Sequence, residues 1–509
     1  MTLRRTLALI AALTSLMALA GQAHASTTQE SMAQDDRMLL NYGTGVQAGA
    51  LKDLQSLGVT ALHVDITWAS LAPSANSAKP PKGKDLTNPA TYKASRWAIL
   101  DSLVRGAGLR NMSILLTPTA PAPLWGTTCS TADRRRARLK GICKPSASLY
   151  GKFVKALGKR YSGTYFDPRS PATLPLPRIS RWSIYNEPNL KSWLYPATTT
   201  SHGRLIPTDA KLYRALAYSA IAALQGSGHK RDQILLGETG PIGGGVSAVQ
   251  PLYFYQALFC IDSRGKRLRG AAAKQVGCPK RIKKLAVTGI AHHPYTRATV
   301  GSLTARPAPG NVTTANISAL RRVLKLGSRA GAIPGSAASQ IYITEFGVSS
   351  RPPAARGYGV SLSEQSARIN EADYLAYRDG SVRGFTQFAL EDDQLGAGSH
   401  PGRLVFQTGL RFIATAKQLH SGILGKKKPS YTAYRNPLFV VDRGRNVIVW
   451  GGMRGAKDGS KVQILRGGKT VKTVSLRRGY FTTTLSKGTG TWQLKFGSRK
   501  SRKAVPTRL

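Results

Sequence analysis

Between residues 38 and 390, short apolar runs alternate with stretches of helical spacing, and most runs stop in polar or charged residues. This alternation is the tightest constraint on the fold, because strands joined by helix-length connections pair in parallel and need helices packed on the sheet. The strand-like runs are 38–42, 61–66, 112–116, 182–185, 233–237, 285–291, 340–344 and 384–390. Helical spacing predicts intervening helices over 48–57, 92–107, 149–161, 209–225, 317–328 and 363–378. Eight such runs predict an α/β fold, a (β/α)8 TIM barrel with insertions, spanning 26–425. An open doubly wound sheet is the rival. It would carry a glycine-rich phosphate loop after an early strand, and Gly43-Thr44-Gly45 lacks the third glycine.

The texture changes past Lys426-Lys427-Lys428-Pro429. Short alternating runs at 447–450, 461–465, 470–476, 480–485 and 491–496 are separated by Gly451-Gly452, Asp458-Gly459 and Gly467-Gly468, which predicts a small antiparallel β-sandwich over 430–497. The remaining 498–509, with Arg499, Lys500, Arg502 and Lys503, reads as a basic disordered tail.

At the other end, Arg4-Arg5, an apolar run and Ala23-His24-Ala25 have the pattern of a secretory signal over 1–25. A membrane anchor is the alternative, but the apolar run falls short of the ~20 residues that a spanning helix needs. An exported chain makes disulfides the natural reading of Cys129 with Cys143 and of Cys260 with Cys278. Neither pair has zinc-site spacing, so no metal is expected. The 74 Lys and Arg against 24 Asp and Glu leave a net charge of +50, which should draw the surface to polyanions. For a secreted or wall-associated protein these are an anionic wall polymer or an acidic polysaccharide, reached through the basic C-terminal module. Adaptation of the whole surface to solvent is the alternative. No nucleic-acid reading motif is present.

In an eight-stranded barrel the strand C-termini open into one shared bowl, so residues remote in sequence converge there. The fourth run delivers Asn186-Glu187-Pro188 and the seventh delivers Glu345-Phe346-Gly347. Two carboxyl groups facing one bowl suit glycoside hydrolysis, one protonating the departing oxygen and later activating water, the other attacking the anomeric carbon.

A strand ending in Asn-Glu-Pro at the fourth position, with Ile343-Thr344-Glu345-Phe346-Gly347 at the seventh, resembles the clan of retaining (β/α)8 glycoside hydrolases that includes the family 5 cellulases and family 39 xylosidases. The resemblance implies Glu187 as acid/base, Glu345 as nucleophile and no cofactor. It also implies that Asn186 contacts the sugar, with His293 and Tyr295 beside the nucleophile. Two departures stand out: His63 occupies a place where the clan commonly has an arginine, and Thr386-Gln387-Phe388 stands where many members present a tryptophan platform. His63 and Gln387 are therefore expected at the sugar-reading subsite. Trp125 is read as an aromatic face for a sugar, Trp68 as rim packing and His292 as a packed strand residue. Glu238 is read as lining the cleft or capping a turn, and Glu391 and Asp393 as candidate hydroxyl acceptors. The alternative function is a carbohydrate- or wall-binding protein with weakened catalysis.

Overall fold

The computed structural model describes residues 29–130, 132, 141–169, 174–296, 300–354, 357–393 and 406–509. The expected signal at 1–25 and the arginines Arg134, Arg135, Arg136 and Arg138 lie outside the described residues. Eight parallel strands close a barrel in sequence order: β1 (Glu30–Gln34), β2 (Ala61–Thr67), β3 (Ser113–Thr119), β4 (Arg181–Ile184), β5 (Gln233–Thr239), β6 (Gly289–His292), β7 (Ile341–Ile343) and β8 (Val382–Phe388). Closure is made by β1 on β8, from Glu30 opposite Gly384 to Gln34 opposite Phe388. Helices Gly43–Ser56, Ala94–Gly108, Ala147–Arg160, Asp209–Gln225, Pro251–Phe259, Ile317–Arg329 and Leu362–Tyr377 lie between successive strands. Inside the barrel Met32, Ala61, Leu115, Leu235, Ala291 and Tyr342 form a separate buried cluster. That layer fills the lumen as the packed interior of a barrel does, and the strand C-termini open above it.

The first strand is not the expected 38–42. Met38, Leu39 and Leu40 are buried in a short helix, Asp36–Leu40, because the Asp35 carboxylate accepts the Met38 N–H at 3.1 Å as an N-cap. The strand that closes the barrel lies just upstream, and its polar residues Glu30, Ser31 and Gln34 hide it from a hydrophobicity pattern.

The C-terminal region forms two antiparallel sheets. The three-stranded one is built from β9 (Leu438–Arg443), β10 (Asn446–Gly452) and β13 (Tyr480–Ser486). The other has the order β12 (Lys469–Ser475), β11 (Lys461–Arg466), β14 (Trp492–Phe496) and β15 (Arg499–Lys500). Their inner faces share a core of Leu438, Val440, Val449, Ile464, Trp492 and Leu494. The expected disordered tail is therefore corrected. Lys500 pairs with Lys495, the Ser501 hydroxyl accepts the Leu494 N–H at 2.9 Å, and Ala504 and Thr507 bridge to Trp492 and Val441. Ser501 and Ala504 are buried between the basic residues, so this charge run is the wet side of an ordered segment.

Both disulfides are formed, Cys129 to Cys143 and Cys260 to Cys278, each with Cα atoms 5.8 Å apart. Among the described residues no helix is long and apolar enough to cross a membrane.

Candidate active site

The site is built from strand ends held in an unusual backbone conformation. Tyr185, Glu187, Glu238 and Ala389, at or just beyond the ends of β4, β5 and β8, all have positive φ without being glycine. Each costs on the order of 1 kcal/mol or more, and such residues persist where surrounding structure over-determines them. Here β4 and β5 brace each other, since the Glu187 N–H donates to the Glu238 carbonyl at 3.0 Å. Gly240 clears the space beside them: a Cβ there would meet Leu190 at 2.9 Å and the Glu187 carboxylate at 3.1 Å.

Glu187 and Glu345 meet across one imidazole. His293 Nδ1 lies 3.2 Å from Glu187 Oε1 and 3.6 Å from Glu345 Oε2. The two carboxylate oxygens are thus at most about 7 Å apart, a range that includes the separations used in glycoside hydrolysis. Tyr295 donates its hydroxyl to Glu345 Oε2 at 3.1 Å, and the Trp193 indole N–H donates to Glu187 Oε2 at 3.0 Å. Burial pushes the Glu345 carboxyl up to about 7, with the negative charge of Glu187 adding to the rise and the His293 and His63 imidazoles opposing it. Burial disfavours charge on His293, but Glu345, Glu187 and Glu238 outweigh it and lift the imidazole to about 9. The geometry is therefore an imidazole with no exposed surface held against two carboxylates, whose charge favours its protonated form.

A second polar cluster forms the floor. His63 is fully buried, with Nδ1 at 2.6 Å from Gln34 Oε1 and Nε2 at 2.9 Å from Glu238 Oε1. The Gln34 amide is fixed by donating to Asp36 at 3.0 Å, so its oxygen faces His63 and the Nδ1 position carries a proton. Thr117 donates to Glu238 Oε1 at 3.0 Å. Burial disfavours charge on both His63 and Glu238, yet their mutual attraction raises the imidazole and lowers the carboxyl, which is the signature of an ion pair. Asp65 lies beside them, its Oδ1 3.5 Å from His63 Nε2. His63, Asp65 and Glu238 offer atoms within 4.8 Å of one another, a donor set compatible with a divalent cation.

The structure brings together Glu187, Glu345, His293 and Tyr295, and puts Asn186 beside them with its N–H on Thr119 Oγ1 at 3.0 Å and its side-chain Oδ1 unanswered by protein. Other expectations need correction. Trp125 is buried: its indole N–H donates to the Pro73 carbonyl at 3.0 Å and Trp68 packs edge-on at 5.5 Å, so no ring face is open to a sugar. The Gln387 amide is consumed by the backbone carbonyls of Phe388, Ala389 and Thr408, which orders the end of β8 instead of reaching the mouth. His63 has no exposed surface and is engaged by Glu238 and Gln34. Glu391 accepts the N–H groups of Ala414 and Gly425, and Asp393 accepts that of Phe406. Both carboxylates thus hold loops.

Trp68 packs on Trp125 and Phe153, and His292 is tied to Thr239 and the Val312 carbonyl, both in packing roles. Sequence reasoning missed Trp193, Asp65 and Gln34. The signal for Asp65 was present, since His63 and Asp65 alternate on one face of an otherwise apolar strand. Trp193, in an irregular loop, gave none.

The arrangement as a whole defines a barrel with two facing glutamates at its mouth. No protein family and no curated protein matches the sequence. Among solved structures the chain is similar to a glucosidase from Croceicoccus marinus, at 11% identity over 92% of this chain and 95% of that one, with a TM-score of 0.49. A monomeric β-xylosidase from Caulobacter crescentus CB15 gives 15% identity, 94% of each chain and a TM-score of 0.45. An endo-β-1,4-mannanase from Thermotoga petrophila gives 10% identity, 96% and 100% coverage and a TM-score of 0.40. None of these likenesses carries an argument about function, and the chemistry rests on the residues.

Proposed function

We propose that the protein is a secreted retaining glycosidase in which Glu345 attacks the anomeric carbon and Glu187 serves as acid and then base. The observation that carries this reading is the pair of glutamates on one histidine. The shared His293 cation and the Tyr295 hydroxyl favour the ionised form of Glu345, which an attacking oxygen needs. Glu187, with 16% of its side chain exposed, is reachable by a leaving group and by water. Incubation with an activated 2-deoxy-2-fluoro glycoside should trap a covalent adduct, and peptide mass spectrometry should place it on Glu345. Adduct-free inactivation, or product of inverted configuration by NMR, would count against the double displacement.

The electrostatics give a pH profile. Activity needs ionised Glu345, so kcat/KM should rise as pH passes through about 7. His293→Phe removes the cation that offsets burial. The acid limb should then move upward by roughly one pH unit or more, and an unmoved limb would show that His293 does not tune Glu345.

The basic module is read as the contact for an anionic polymer. Lys495 and Lys500 sit directly opposite one another across β14 and β15, a like-charge pairing that is unfavourable unless an anion neutralises it. A Lys469→Glu, Lys495→Glu, Lys500→Glu variant should lose salt-sensitive retention on an acidic polysaccharide resin, whereas unchanged elution would place the contact elsewhere.

A further inference from the structure

Glu187 is followed by a short return of the chain that ends on its own carboxylate. The Glu187 carbonyl accepts the Leu190 N–H at 2.9 Å, and the Leu190 carbonyl accepts the N–H groups of Trp193 and Leu194, each at 3.0 Å. These successive turns double the chain back, so Trp193 returns its indole N–H to Glu187 Oε2 at 3.0 Å. The hydroxyl of the buried Tyr185, just beyond β4, donates to the Trp193 carbonyl at 2.9 Å and fixes the backbone there.

Residues 187–195 belong to no helix or strand, so the far end of the return has to be held from outside. Tyr195 lies as a rung beside Cys143. Its N–H donates to the Ile142 carbonyl and its carbonyl accepts the Lys144 N–H, both at 2.9 Å. Behind that rung the Thr128 N–H donates to the Lys144 carbonyl at 3.0 Å, Thr127 bridges to Pro145, and Cys143 is joined to Cys129. Both cysteines are buried, and Ile142 and Tyr195 pack on them. A continuous line of contacts thus runs from the disulfide through Tyr195 and Trp193 to the Glu187 carboxyl. The disulfide of Cys260 and Cys278 takes no part in these contacts.

The chemistry at the end of that line depends on direction. Glu187 Oε1 lies 3.2 Å from His293 Nδ1 while Oε2 carries the indole N–H, so the carboxyl plane cannot turn without breaking a contact. An indole N–H donates and accepts nothing, so a proton on Glu187 cannot occupy the lone pair that Trp193 uses. It is left to lone pairs elsewhere on a side chain that is 16% exposed. A general acid works when its proton is aimed within hydrogen-bond reach of the departing oxygen.

We infer that Trp193 is the positioning residue of the acid/base, and that the Cys129–Cys143 disulfide, acting through Tyr195, is the fixture that holds it there. The inference rests on the glycosidase reading for the role of Glu187. Protonation of the leaving group then depends on a bond remote from the chemistry. A chain without that disulfide keeps the attack by Glu345 but delivers the proton poorly.

The test uses the full chain, Trp193→Phe, Cys129→Ser with Cys143→Ser, Tyr195→Ala and, as the control, Cys260→Ser with Cys278→Ser. kcat/KM is measured on 2,4-dinitrophenyl, 4-nitrophenyl and phenyl glycosides of D-glucose, D-galactose and D-xylose. It reports glycosylation, whose need for a proton grows from the first leaving group to the last. Trp193→Phe keeps a ring and removes the N–H. It should lower kcat/KM for the phenyl glycoside at least about tenfold, part of the ~10^2–10^4-fold that general acid catalysis supplies, and leave the dinitrophenyl glycoside within about twofold. The Cys129, Cys143 variant and Tyr195→Ala should repeat that graded loss, and the control should not. A loss equal for all leaving groups is what loosening of the fold gives and overturns the proposal, as does Trp193→Phe without loss.

Labelling with 5-fluorotryptophan adds a readout that needs no turnover. The fluorine resonance that Trp193→Phe deletes should shift in Glu187→Gln and in the Cys129, Cys143 variant, and stay in place in the control. A resonance indifferent to the disulfide overturns the proposal. Should the disulfide variant fail to fold, Tyr195→Ala decides on the same two readouts. If no glycoside is turned over while the resonance follows both Glu187 and the disulfide, the glycosidase reading falls and the fixture on Glu187 stands.

Discussion

Glu345→Ala is expected to lower turnover of an activated aryl glycoside by at least ~10^4-fold, about 5 kcal/mol of barrier. The loss is large because no other described carboxylate is paired with Glu187 across His293 to take over the attack. Tyr295 and His293 point at the Glu345 carboxylate and would remain, but neither is placed as a second nucleophile. A small anion such as azide, admitted into the space left by the carboxylate, should restore part of the rate and yield the glycosyl azide of opposite configuration. Glu187→Ala should behave differently on the same substrate. A good leaving group needs no proton, so glycosylation should be nearly spared while deglycosylation slows, and a burst of released phenol should precede a slow steady state. Near wild-type turnover in both variants would sink the assignment.

Arg454→Met is expected to destabilise the protein by about 3–5 kcal/mol, measured by denaturant unfolding. Arg454 is buried between the sandwich and the barrel. Its guanidinium donates to the Asp373 carboxylate and the Tyr434 carbonyl and lies 3.9 Å from the centroid of the Tyr434 ring. Asp373 sits on the helix Leu362–Tyr377 that follows β7, and its other oxygen accepts from Gln29 at 3.0 Å. Removing the arginine leaves a carboxylate in the interior with its charge unpaired, which is why the cost exceeds that of an exposed ion pair. Arg454→Met combined with Asp373→Leu should recover most of the loss, because an apolar pair of similar volume needs no desolvation of charge. The tertiary signals of barrel and sandwich should fall together in the single variant. Separate transitions would show that this pair does not couple them.

The barrel was legible in the sequence because helix and strand periods alternate strongly, and the count of eight strands places Glu187 and Glu345 at the same end. The first strand was not, because Glu30, Ser31 and Gln34 serve the two ends of the barrel with polar groups while Met38 to Leu40 imitate a strand. Strand β9 was also missed. Leu438-Phe439-Val440-Val441 is a continuous apolar run without the alternation that marks its neighbours. At the site, strand-end position predicted which residues come near the mouth but not which way each side chain turns. Gln387 is at the correct end of β8 and spends its amide on three carbonyls; Trp125 follows β3 and turns inward onto Trp68. The His63 to Glu238 ion pair joins β2 to β5, and no local pattern encodes a contact between strands 175 positions apart, the difference of 238 and 63.

The ordered C-terminal segment has a consequence for how long the protein survives exposure to proteases. Enzymes that cut after lysine or arginine need several residues of free, extended backbone in their cleft. Arg499, Lys500 and Arg502 would be preferred targets on a loose tail. Here the backbone of Arg499 and Lys500 is paired with β14, and Arg502 is held between that pairing and the bridges of Ala504 to Trp492 and Thr507 to Val441. Cleavage there must wait for the sheet edge to open, so the rate of trimming reports the opening equilibrium of the sandwich and not the density of basic residues.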